Sequence, residues 1–128
     1  MTQDKAFKLF KDGADDTING SGRISFNEVG QKTINAYIEN IYIFLDSTES
    51  INKVIQFYFN NNPDDSTSFE KDYGVFELTL KADLLQIDAW TTLDFDELSS
   101  DEEYKQKGKN LAQEVISFIE EVKSKTSI

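Results

Sequence analysis

The sequence predicts a single acidic α+β domain spanning residues 1–128, with a small antiparallel meander of about three strands packed with helices in the order α-α-β-β-β-α. Three observations predict it. Apolar residues make up 38% of the chain, with ten Phe, five Tyr and one Trp, enough to order an interior without staples. Apolar positions recur at helical spacing on either side of a middle region that alternates strictly. Turn-forming clusters separate these segments, and no internal repeat or low-complexity linker interrupts them.

In chain order, "DKAFKLF" gives Ala6, Phe7, Leu9 and Phe10 to a short amphipathic helix that ends by Gly13. Residues 12–28 read as a flexible acidic loop, with a short extended piece opening at "ISFNEVG". In "QKTINAYIENIYIFL", Ile34, Tyr37, Ile38, Ile41 and Leu45 fall at helical spacing and predict the second helix. The run "NKVIQFYF" is β-branched and aromatic, which favours a strand with Ile55, Phe57 and Phe59 inward. The same run also fits a helix with Ile51, Val54, Ile55 and Tyr58 on one face. The stretch "NNNPDDSTSFEKD", which holds the only proline, Pro63, reads as a polar loop.

"YGVFELTL" alternates, with Phe76, Leu78 and Leu80 on one side and Val75, Glu77 and Thr79 on the other. A tight "KAD" turn leads into "LLQIDAWTT", where Leu85, Ile87 and Ala89 oppose Gln86, Asp88 and Trp90. In the last helix Ser100 and Glu103 form a capping box, and Asp101 and Glu102 suit the helix dipole. Tyr104, Gly108, Leu111, Val115, Phe118, Ile119 and Val122 define its buried face, with Gly108 marking a close helix-to-strand approach.

Composition narrows the chemistry. With no Cys there is no disulfide framework and no thiolate. With no His there is no Ser-His or Cys-His dyad and no His-bound zinc. No nucleophile, base and orienting group can be named together, so the expectation is a protein without catalytic residues or cofactors. Carboxylate pairs among Glu77, Asp83, Asp88, Asp94 and Asp96 are an expected accident of 24 acids. A net charge of −11 repels phosphate backbones and anionic lipid, and favours a basic partner. The N-terminal residues carry charges every few positions, no run approaches a membrane span, and the expected location is the cytoplasm. Abundant Lys, Asn and Ile beside one arginine, Arg23, read as the mark of an AT-rich bacterial or phage genome.

The most motif-like stretch is "DGADDTINGSGRISFNE". Counted from Thr17, it puts Asn19, Ser21, Gly22, Ile24, Ser25 and Glu28 at positions 3, 5, 6, 8, 9 and 12 of a degenerate EF-hand-like loop. Thr17 stands where that loop needs Asp, so Asn19, Ser21, Ser25 and Glu28 are weak metal candidates and the default is a solvated connection. "NGSGR" lacks the spacing of a P-loop.

The other candidate is an interaction patch. "DFDELSSDEE" holds six carboxylates in ten residues, among them Asp94, Asp96, Glu97, Asp101 and Glu102. On the predicted sheet, Tyr58 and Trp90 share a face with Glu77 and Asp88. Aromatic anchors ringed by acids suit an interface with a basic protein, whereas helices covering this face would make Trp90 core. In class, the chain resembles immunity proteins against nuclease toxins, antitoxins and phage anti-defence inhibitors, which are small, acidic and cytosolic. That resemblance implies electrostatic occlusion of a basic, nucleic-acid-acting partner. A calcium-binding module on residues 17–28 and a non-catalytic accessory domain are the alternatives.

Overall fold

A computed structural model gives the fold and describes residues 3–18, 22–30, 32–62, 66–94 and 100–126. Its elements are α1 (Gln3–Ile18), β1 (Arg23–Glu28), β2 (Thr33–Phe44), α2 (Thr48–Tyr58), β3 (Thr67–Glu70), β4 (Val75–Lys81), β5 (Leu84–Asp94) and α3 (Asp101–Thr126). The α+β class stands, but the order is α-β-β-α-β-β-β-α around a five-stranded antiparallel sheet, β1-β2-β5-β4-β3.

Strands β4 and β5 follow their alternation. Phe76, Leu78, Leu85, Ile87 and Ala89 are fully buried, and their register pairs Phe76 with Ala89 and Leu78 with Ile87. The turn between them places Ala82 at φ 54°, a left-handed conformation that strains a residue with a Cβ. Ala82→Gly is therefore expected to raise stability by up to about 1 kcal/mol in urea unfolding.

The predicted second helix is strand β2. Ile34, Ala36 and Ile38 face the core, then Ile41, Ile43 and Leu45 do, so the alternation slips by one residue. The slip is a bulge between Ile38 and Ile41, where Asn40 adopts φ 62°. It brings Ile34, Ile38, Ile41 and Leu45 to helix-like intervals. Residues 53–59 are not a strand: the alternative helical reading is the observed one. Ser47 caps α2 by accepting the Ser50 N–H at 3.1 Å, Val54 is fully buried and Phe57 is half exposed.

Helix α1 runs past Gly13 to Ile18, so most of the predicted loop 12–28 is helix and strand, with residues 19–21 outside the described part. Gly13 belongs to a helix–helix crossing. A Cβ there would strike the Lys105 carbonyl, and one at Gly108 would strike the Phe10 carbonyl. The close approach foreseen for Gly108 is thus to α1, not to a strand. The short edge strand β3 lies within the predicted polar loop, and Phe69, paired with Phe76, is its one large apolar contact. Helix α3 begins as the capping box predicts, with the Glu103 N–H donating to Ser100 Oγ at 3.3 Å.

All three helices contribute to one core with the inner face of the sheet. Phe26 of β1 meets Phe7 of α1 at 4.4 Å between ring centres, and Phe76 of β4 meets Phe118 of α3 at 5.4 Å. The other face of the sheet has no helix packed on it among the described residues. Among those residues, no helix is long and apolar enough to cross a membrane.

Candidate functional site

On the uncovered face, the strand register lays side chains out in rows. Tyr37 of β2 stands opposite Trp90 of β5, with ring centres 6.3 Å apart, and Val75 of β4 lies on the far side of Trp90. The next row is acidic: Glu39 beside the β2 bulge, then Asp88 opposite Glu77. Beside them lies a shallow depression of about 240 Å³ lined by Asn27, Tyr37, Glu39, Glu77 and Asp88. Beyond Gln86 the face turns apolar again, with Tyr42 and Phe44 48% and 65% exposed beside Leu84. An acidic band thus runs between two aromatic bands.

The bulge builds part of this surface. Its strained geometry frees the Asn40 N–H from the ladder, and Asp88 Oδ1 accepts it at 2.8 Å. The Gln86 amide donates to Asp88 Oδ2 at 3.1 Å, so the carboxylate is anchored through both oxygens. Glu39 Oε2 accepts from Arg23 Nη2 at 3.2 Å at the rim.

Of the residues predicted for the patch, Glu77, Asp88 and Trp90 come together, and Asp94 lies at the end of β5 on the same face, opposite Thr33. Trp90 is partly exposed and is not a core residue. Tyr58 is elsewhere: with residues 53–58 helical, it joins the helical layer, its hydroxyl donating to Glu121 Oε2 at 2.8 Å and its ring edge-on to Phe118 at 5.4 Å. Burial and the Glu121 carboxylate push its phenol above the ordinary tyrosine range. Asp101 and Glu102 also belong to the helical layer, in the first turn of α3, where Asp101 pairs with Lys5 at 3.4 Å. Asp96 and Glu97 lie outside the described residues.

Tyr37 and Glu39 are the members that sequence reasoning missed, because it placed them on a helix. The signal was present: apolar residues alternate at Ile34, Ala36 and Ile38 and again at Ile41 and Ile43, with an asparagine at the joint.

The EF-hand register does not assemble. Thr17 is in α1 with its hydroxyl donating to the Gly13 carbonyl at 3.0 Å, while Ser25 and Glu28, three residues apart on β1, point to opposite faces. Asn19 and Ser21 lie outside the described residues, and among those described no group of three or more His, Cys, Asp or Glu gathers to hold a metal. Calcium titrated to the millimolar range is expected to change neither the melting temperature nor Trp90 emission; a saturable shift in either would restore the calcium reading.

Comparison with protein-family models, with curated proteins and with solved structures finds no match.

Proposed function

We propose that this protein binds a basic protein partner through the open sheet face and neutralises it, in the manner of an immunity protein, an antitoxin or a phage anti-defence inhibitor acting in the cytoplasm. The observation that carries this reading is the aromatic pair Tyr37–Trp90 beside the acidic row Glu39–Asp88–Glu77, on a face that no helix of the described chain covers. A net charge of −11 steers a basic partner during approach, and the aromatic bands supply the desolvated anchors that hold it. Carboxylates would then occupy the groove in which the partner receives nucleic acid, which excludes that ligand. Acids alone would attract many cations weakly; acids set between aromatics favour one shaped surface.

The test begins with affinity capture from nuclease-treated bacterial lysate, followed by kinetics on the purified partner. Trp90→Ala is expected to weaken binding by about 2 kcal/mol or more, as for a central aromatic anchor, with an unchanged circular dichroism spectrum. The association rate is expected to fall steeply as salt shortens the Debye length from roughly 30 Å to 8 Å. A partner held equally well by Trp90→Ala, or an association rate indifferent to salt, would overturn the proposal.

A further inference from the structure

The sheet has a bare stretch of edge. Among the described residues β1 pairs with β2 only from Ile34 to Glu39, so the last part of β2, from Ile41 to Phe44, has β5 on one side and no strand on the other. The Leu45 N–H donates to the Asp83 carbonyl at 2.7 Å, toward the β5 side. Backbone groups alternate sides along an antiparallel strand, so Tyr42 and Phe44 turn their N–H and C=O groups to the open edge. A groove of about 400 Å³ lies along this stretch, with Ile119 and Lys123 of α3 as its other wall. A second hollow of about 480 Å³ adjoins it at Ile43 and Phe44. Exposed sheet edges are ordinarily blunted by charge, proline or shortness. Edge strand β3 is short and ends in Glu70, and the outer strand β1 carries Arg23 and Glu28. The bare part of β2 reads Ile-Tyr-Ile-Phe, with neither a charge nor a proline, and its outward side chains Tyr42 and Phe44 are large and exposed.

We propose that the bare edge of β2 pairs antiparallel with the same edge of a second copy of this chain, joining the two sheets into one across a two-fold axis beside Ile43. An antiparallel strand edge is its own complement under such an axis. Tyr42 of each copy then lies opposite Phe44 of the other. Both are residues whose backbone groups face outward, as a hydrogen-bonded ladder pair requires. The same pairing makes the two aromatics cross-strand neighbours. The length fits as well. Strand β2 ends at Phe44 and the chain enters α2 at Thr48, so the incoming strand stops opposite Tyr42. It ends before it meets β1, whose first residue, Arg23, stands opposite Glu39. A longer foreign strand would run into β1. The net charge of −11 repels a second copy at low salt, but the pairing stretch itself carries no charge, so screening releases the contact.

Sedimentation equilibrium of the whole protein, from micromolar to millimolar concentration, is expected to show its mass double. Salt that shortens the Debye length from roughly 30 Å to 8 Å is expected to tighten the dimer severalfold, opposite in sign to its effect on a basic partner. Phe44→Lys, at a position 65% exposed, is expected to give a folded monomer, because a lysine on the edge opposes pairing although it lowers the net negative charge. Amide hydrogen exchange at Tyr42 and Phe44 is expected to slow as the dimer fills. Trp90→Ala is expected to dimerise as before, so the proposed function and this pairing fail separately. A mass that stays single throughout, a Phe44→Lys protein that still dimerises, or a dimer that weakens with salt would overturn the pairing. So would Tyr42 and Phe44 amides that exchange as fast in the dimer as in the monomer.

Discussion

Phe118→Ala is expected to destabilise the protein by about 3–5 kcal/mol, the largest single-residue effect on the core. Phe118 is 2% exposed and touches rings from three other elements: Tyr58 of α2 at 5.4 Å, Phe69 of β3 at 5.6 Å and Phe76 of β4 at 5.4 Å between centres. The Lys71 ammonium lies 5.1 Å from its ring centre and also faces Phe69 and Phe76, so truncation removes a cation–π contact together with the packing. These neighbours are anchored on separate elements and cannot collapse together into the space. Against a typical domain stability of about 5–15 kcal/mol, the loss is a large fraction of the whole. Urea unfolding should show a lower midpoint with little change in slope. Phe57→Ala, at a half-exposed position on α2, is the control and should cost less than about 1 kcal/mol. Equal effects at the two positions would contradict the assignment of Phe118 to the core.

Gly108→Ala should lower stability by about 1–3 kcal/mol, although alanine is the better helix former by about 1 kcal/mol. The sign reverses because a Cβ at Gly108 meets backbone: the Phe10 carbonyl, with the Ala14 nitrogen 3.1 Å away. Neither group can rotate aside, so α1 and α3 must separate and loosen Phe10, Ala14, Leu111 and Ala112, all fully buried. Gly13→Ala should behave alike, since its Cβ would strike the Lys105 carbonyl. Gly30→Ala, whose nearest neighbour would be the Thr33 hydroxyl at 3.6 Å, should be close to neutral. A Gly108→Ala midpoint at or above that of the unmodified protein would show that the helices do not cross this closely.

These two positions also show how far the sequence could be read. Helix α3 was legible because its capping box and its three-and-four spacing act within one element, and β4 and β5 were legible because their alternation is unbroken. Gly13 misled because a glycine demanded by a neighbouring helix looks the same, in one dimension, as a helix stop. Strand β2 was hidden by the bulge at Asn40, which converts two alternating runs into a helical rhythm. Edge strand β3 buries so little that Phe69 alone marks it. The candidate site inherited this pattern: its β4 and β5 members Glu77, Asp88 and Trp90 were found, while its β2 members Tyr37 and Glu39 were not. Tyr58 was misplaced together with the element that carries it.

The strand order has a consequence for synthesis. Strand β2 lies between β1 and β5, yet residues 45–83 separate its end from the start of β5. A chain leaving the ribosome therefore carries β2, rich in isoleucine, with one edge bare until Leu84–Asp94 has emerged. Helix α1 waits longer still, because its partner α3 is made after β5. Helices α1 and α3 must meet before either has a finished surface, and until β5 arrives the nascent protein presents an open strand edge of the kind that chaperones shield.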